Sequence, residues 1–468
     1  MARKRDYSEF ELDGPGAATI DSTPKQKVKA GSLPKPDSET EDFLMHAVGS
    51  YQWAPIYDAL HSMLDTKDRL ALSATSRAFR EALRDTIWCI NKRLARFFEQ
   101  PVDFRTQLGK SNALISGGFA LQFLEGVTWK DSDLDIYVEG GQDSEAMEQY
   151  LLSAGYQKGS SRSTEASGRL VGLDHLFDTT GSLPISGSAV ECTTYLKTVC
   201  NTDPAIMAKE SQVKVKIIAT RSIPIICIMN VFRSSCIVNI ITWNKAYSIF
   251  PRATFLKHRT IALRSLSQFS PGTGALHAKY SKRGWRMWTH PVPFAVADDL
   301  VGGKKGCSDL EDECGPHRCR RIGDRDTWTL KLDTMGVRRP LLPDFVIECT
   351  NFAVCNLQDD DEDAMLVKDS ALDIKIEPFE SPVLRWRYAD WCLQSIEEIF
   401  DRATEFQSGK ATSQERALLF ASDGSVNSSA KCNIDGWDYM DEEVPELLAE
   451  YLRNPDGIAR EMGYIRTT

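Results

Sequence analysis

Two acids stand two residues apart, Asp133 and Asp135, within Asp131-Ser-Asp-Leu-Asp-Ile-Tyr-Val138. Side chains alternate along a strand, so both carboxylates face one way while Leu134 and Ile136 face the other. Carboxylates side by side repel unless a cation lies between them, and an oxygen-preferring divalent ion, Mg2+ or Mn2+, suits that place. Such an ion bridges nucleotide phosphates and supports in-line displacement. Upstream, Leu114-Ile-Ser-Gly-Gly-Phe-Ala-Leu-Gln-Phe-Leu124 reads as a strand, a glycine pair and a helix. Gly117-Gly118 would leave backbone N–H groups free at the helix start and let a phosphate come close to them. Ser132 adds a hydroxyl just before the first acid. The competing account makes Asp131, Ser132 and Asp133 a polar turn, with Asp135 at an exposed strand edge.

The elements that must position these residues alternate in type. Short apolar runs between turn residues predict strands at 113–116, 134–138, 189–196, 213–219, 223–231 and 236–242. Helical spacing predicts helices at 119–124 and 144–154, and the Ser- and Gly-rich stretch 157–188 is expected to be loop. The sum is a mixed α/β, or α+β, domain over 105–265. Before it, residues 1–45 have no apolar periodicity and read as a disordered leader, and 50–100 reads as a compact set of short helices. After it, 266–335 reads as an irregular insertion and 336–468 as a mixed region with a helix at 383–406. Within the insertion, the basic run Lys279 to Arg286 with Trp285 and Trp288 is expected to be a packed hairpin or helix face with solvated charges.

The glycine pair followed by Asp-x-Asp on a strand resembles the signature of the nucleotidyltransferase superfamily, the polymerase-beta type. The resemblance implies that Asp133 and Asp135 hold the catalytic metals and that Gly117, Gly118 and Ser132 hold the triphosphate. The superfamily supplies a third carboxylate from a later strand of the same sheet. The predicted strand 223–231 has no acid, and 236–242 offers only Asn239. Glu191 is the one substitute, on an earlier strand. The expectation is therefore a divergent member with weakened or lost catalysis that binds nucleotide or a partner. An active metal-dependent transferase is the alternative.

The helical segment from Trp53 to Trp88 resembles an F-box, the module that docks on a Skp-type adaptor of a ubiquitin ligase. Leu60, Leu64 and Leu70 would face that partner, with the Leu70/Leu72 pair, Ser76-Arg77 and Trp88 as further matching features. The usual Leu-Pro-x-Glu start is here Ala54-Pro55-Ile56-Tyr57. An F-box adaptor is accordingly a further expected function, against a helical brace that packs on the α/β domain. Together the two segments resemble a group of fungal proteins that join an F-box-like segment to a nucleotidyltransferase-like domain.

Bulk properties exclude some classes. The 468 residues carry a formal net charge of -10, which disfavours a nonspecific nucleic-acid coat. No run is long and apolar enough for a membrane span, and the charged start has no apolar stretch behind it. The expectation is a cytoplasmic or nuclear protein whose 12 cysteines are reduced. Cys307, Cys314, His317 and Cys319 have zinc-ligand chemistry but not the usual pair-loop-pair spacing. They are read as a flexible loop with free thiols.

Overall fold

The computed structural model describes residues 63–130, 132–163, 189–200, 210–263, 271–288, 304–305, 318–356, 372–390, 392–430, 434 and 436–453. The leader, Leu60, Asp131, Cys307, Cys314 and His317 lie outside them. The chain is a mixed α+β protein organised on one large sheet. Two helices come first, α1 (Thr66–Thr75) and α2 (Arg77–Thr86), followed by α3 (Ile90–Leu94) and α4 (Pro101–Lys110). The short strand β1 (Leu114–Ser116) then leads into α5 (Gly118–Glu125), β2 (Leu134–Glu139) and α6 (Gln142–Ser153).

Three long strands widen the sheet: β3 (Gln157–Ser163), β4 (Ala189–Cys200) and β5 (Glu210–Thr220). Helix α7 (Pro224–Val231) precedes β6 (Asn239–Ile241) and β7 (Lys245–Ser248). Next come β8 (Arg259–Ile261), α8 (Pro271–Lys282) and β9 (Arg286–Trp288), then β10 (Lys304–Lys305), β11 (Arg318–Arg321) and β12 (Trp328–Lys331). The eight-stranded sheet runs in the order β12-β7-β6-β1-β2-β5-β4-β3. Only β2 and β5 pair in parallel; the other pairs are antiparallel.

Both faces of this sheet are covered. On β2, Leu134, Ile136 and Val138 are buried on one face and Asp135 and Tyr137 on the other. Helix α5 is buried all round from Phe119 to Glu125, as expected of an apolar helix inside a core. It ends at Gly126, whose φ of 71° is the left-handed geometry of a glycine cap. A Cβ there would stand 2.5 Å from Ile87 Cγ2 and 2.7 Å from Arg69 Nη1, so the first helices sit directly on the end of α5. Arg69 Nη1 donates to the Glu125 carbonyl at 2.6 Å, Thr66 Oγ1 to the same carbonyl at 3.3 Å, and Trp88 Nε1 to the Leu124 carbonyl at 3.0 Å. These donors satisfy carbonyls that a helix end leaves unpaired.

Four expectations are corrected. The stretch 223–231, expected to be a strand, is α7, buried along nearly its whole length. A short run that is apolar but for Asn230 reads the same way in either state, and Pro224 at the first helical turn decides for helix. Part of the expected loop 157–188 is β3, an edge strand paired with β4. The expected helix 383–406 starts only at Glu397–Gln407, after a 3-10 turn at Leu393–Ile396. Its first part holds Tyr388–Ala389, paired as a short strand with Pro378–Phe379. The buried Asp390 carboxylate accepts from Cys392 N at 2.6 Å and Leu393 N at 2.9 Å, which fixes a turn where a helix was expected. The anchors Leu393, Ile396 and Phe400 are nonetheless buried in a second, C-terminal core. That core also takes helices at Ser413–Leu419 and Val444–Tyr451. The region 266–335, expected to be irregular, contains α8, β9 and the edge strand β12 of the large sheet.

Candidate functional site

The glycine pair and the acid pair meet. Strands β1 and β2 are antiparallel with Ser116 opposite Asp135, so the turn after β1 folds over the start of β2. Gly117 has φ 72° and ψ -140°, a region that L side chains avoid. Its missing Cβ leaves room for the acid: a Cβ there would stand 3.2 Å from Asp135 Oδ2 and 3.6 Å from the Phe232 ring. A Cβ on Gly118 would stand 3.4 Å from Tyr280 Oη and 3.9 Å from Ser132 Oγ. Ser132 is tied to the turn through Gln122 of α5. Gln122 Nε2 donates to Ser132 Oγ and to the Gly118 carbonyl, and Gln122 Oε1 accepts from Trp129 N at 2.6 Å. The residues Gly117, Gly118, Ser132, Asp133 and Asp135 thus form one corner. Leu134 and Ile136 are fully buried on the opposite face of β2, as the alternation predicts.

The partner strand supplies what the sequence reading missed. In the parallel register of β2 and β5, Asp135 lies beside Lys216. Lys216 Nζ is 2.6 Å from Asp133 Oδ2 and 3.8 Å from Asp135 Oδ1, with the lysine side chain only 5% exposed. Lys214, on the same face of β5, reaches Asp133 Oδ1 at 3.9 Å and is more exposed. Burial works to lower the Lys216 pKa, but Asp135 and Asp133 outweigh it and hold the ammonium above its ordinary range. Burial pushes the Asp135 carboxyl up, with Lys216 opposing. These two directions pull against each other, and the lysine's is the firmer, because its closest contact is with the more exposed Asp133. Asp135 Oδ1 accepts no hydrogen bond among the described residues.

Helix α8 closes the corner from the side. Tyr280 is buried against the glycine turn, and the exposed Lys279 sits near enough to Asp135 and Asp133 to feel their charge. Partial burial and Arg283 together lower the Lys279 pKa. Arg283 lies over the Trp129 ring at 3.8 Å. The exposed rim of the corner is therefore basic, made of Lys214, Lys279 and Arg283, while the acids lie beneath it.

Among the described residues no third carboxylate joins Asp133 and Asp135 on this face. The lateral neighbours of Asp135 in the sheet are Ser116 and Lys216. Ser116 Oγ donates to the Asn239 carbonyl; Ile240 lies opposite Ser116, so the Asn239 side chain projects from the other face, where its Nδ2 donates to the Cys236 carbonyl at 2.8 Å and its Oδ1 accepts no hydrogen bond among the described residues. Glu191 pairs with Ala219, which puts it on the opposite face from Lys216. Its carboxylate accepts from Ser161 and from Thr193 Oγ1 at 2.9 Å, and those bonds, Ser161's first, hold its pKa down. Among the described residues no group of three or more His, Cys, Asp or Glu side chains is placed to hold a metal ion. A divalent ion between Asp133 and Asp135 would instead meet the Lys216 ammonium. At an effective dielectric near 20, unit charges about 4 Å apart interact by about 4 kcal/mol, and a doubly charged ion roughly doubles that repulsion.

The other sequence candidates lie elsewhere. Leu64 is half-buried just before α1, and Leu70 is half-buried and packs, with Leu72, against the main core. Cys319 is half-buried in β11 opposite Ala353. Lys214 and Lys216 were legible only as the alternation Val213-Lys-Val-Lys-Ile217, whose meaning depends on which strand lies alongside. No family model, no curated protein and no solved structure matches the chain.

Proposed function

We propose that this chain is a nucleotidyltransferase-like protein whose corner binds the phosphates of a nucleotide without transferring it. One observation carries the reading: Asp135 packs against Gly117, with its Oδ2 3.2 Å from the place a Cβ would take. Asp133 stands beside it, and α5 starts directly behind. A glycine turn opening a helix gives backbone donors for phosphate oxygens. Lys214, Lys279 and Arg283 add cationic partners at the open rim, where ammonium and guanidinium groups favour phosphate.

Loss of transfer follows from the flanking strands. A reacting hydroxyl needs a base within hydrogen-bond reach and a cation to gather the charge of the displaced phosphate. Here the sheet neighbours of Asp135 are a hydroxyl already donating to a backbone carbonyl and an ammonium already paired. The adaptor reading has weaker support, because Leu70 and Leu72 are spent on the protein's own core.

The test pairs retention with turnover. Each of the four common nucleoside triphosphates, labelled in the base, is dialysed to equilibrium against the protein. Each is then incubated with protein, Mn2+ and RNA or protein acceptors. The expected result is retention of at least one nucleotide, weakened by Lys214→Glu and Lys279→Glu, with no label incorporated. Incorporation that disappears in Asp133→Ala would establish an active transferase instead, and absence of any retention would remove the nucleotide reading.

A further inference from the structure

We infer that the Lys216 ammonium is a resident cation standing where related chemistry would need a divalent metal, so that polyphosphate binding at this corner is independent of metal ions. The inference rests on the phosphate-corner reading for its ligand, but not for its cation.

Three features carry it. The first is position: Lys216 is the strand neighbour of Asp135 on the same face of the sheet, and its Nζ contacts both acids, at 2.6 Å and 3.8 Å. A metal shared by two carboxylates would occupy that space. The second is permanence. The lysine side chain is 5% exposed and pairs with both acids, so a divalent ion could enter that space only by displacing a buried, already paired cation. The third is the surrounding ligand set. Metal of the Mg2+ class wants six oxygen ligands in a near-octahedral shell. The strand neighbours of Asp135 on this face are a serine hydroxyl already donating to a backbone carbonyl and the lysine.

The arrangement changes what the acids do. With an ammonium between them, they no longer draw a metal; they fix Lys216 in place under the glycine turn. Lys214, on the same face, shares Asp133 and reaches toward solvent, and Lys279 adds a second charge from α8. A polyphosphate entering at the rim meets fixed ammonium groups that need no ion to recruit.

The experiment reads Mn2+ directly. Free Mn2+ is titrated by electron paramagnetic resonance against the wild-type chain, Asp133→Asn, Lys216→Asp, Lys216→Gln and Lys216→Asp/Asp133→Asn, with folding checked by circular dichroism. In parallel, inorganic pyrophosphate is titrated into the wild type in EDTA. The wild type is expected to show no Mn2+ site that Asp133→Asn removes. Lys216→Asp should gain a saturable Mn2+ site where the wild type has none. The Asp133→Asn addition should abolish that gain, and Lys216→Gln should fall between. A wild-type Mn2+ site lost in Asp133→Asn would overturn the inference, as would a folded Lys216→Asp that gains none. If the lysine variants do not fold, the wild-type titration decides alone. Pyrophosphate that fails to bind, with the Mn2+ pattern as expected, would remove the phosphate-corner reading and leave the resident cation standing.

Discussion

At the scale of single residues, the corner depends on one backbone angle and one missing methyl group. Gly117 is at positive φ with Asp135 Oδ2 within 3.2 Å of its Cβ position, whereas Gly118 has no neighbour closer than 3.4 Å. Gly117→Ala should therefore cost about 1–3 kcal/mol, from strain at a conformation that only glycine adopts freely. Gly118→Ala should fall within ordinary surface limits. Urea unfolding of the two variants checks this, and equal losses at both positions would contradict it. The aspartates and glycines were legible in sequence, because a two-residue spacing and a glycine pair have local meanings. Lys216 was not. Its partners come from another strand, and nothing in Val213-Lys-Val-Lys-Ile217 names that strand. Lys279, Tyr280 and Arg283 were visible as a basic and aromatic run, but their place beside the glycine turn is a tertiary fact.

At the scale of elements, α5 is the part that everything else holds. Its start forms the corner, and its end is clasped by Arg69, Thr66 and Trp88. Glu125, its last residue, also meets His258 just before β8: Glu125 Oε1 lies 3.1 Å from His258 Nε2. The hydrogen bond to Glu125 holds the His258 pKa above its ordinary 6.5 against burial, and Asp65 adds to the effect. Arg69 also reaches Glu125, through its bond to the Glu125 carbonyl. A raised histidine pKa means the folded state binds the proton more tightly. This contribution is complete below the unfolded value of 6.5 and is lost as pH rises through the higher folded value. Melting temperature should thus decline from pH 6 upward in the wild type more than in His258→Gln, with the curves converging at alkaline pH; parallel curves would rule the linkage out.

Element types were legible where period and length agreed, as in β2, α5 and α6. They failed at 223–231, where a short run, apolar but for Asn230, has no period to read, and at 383–396, where the Asp390 turn and the Asp441 carboxylate, which accepts from Arg385 N and Trp386 N, override helical spacing.

At the scale of the whole molecule, the helices before the sheet are part of its core. Phe79, Leu83, Ile87 and Trp88 belong to the same buried cluster as β1, β2 and α5, and Leu70 and Leu72 pack against it. A single cooperative unit follows, with the brace and the corner unfolding together. Leu70→Asp should lower the stability of the entire unit by about 1–3 kcal/mol. Leu64→Asp, outside that packing, should cost less. A Skp-type adaptor that copurifies with the wild type and is lost in Leu64→Asp at unchanged melting temperature would show instead that the segment is a docking surface. Among the described residues no helix is long and apolar enough to cross a membrane.

A phosphate corner that carries its own cation would bind its ligand with no metal present. Calorimetric titration of tripolyphosphate into the wild-type chain, once in EDTA and once in excess Mg2+, measures this. Saturable binding is expected in EDTA, not strengthened by Mg2+ and weakened by Lys214→Glu. Binding that appears only when Mg2+ is present would contradict it.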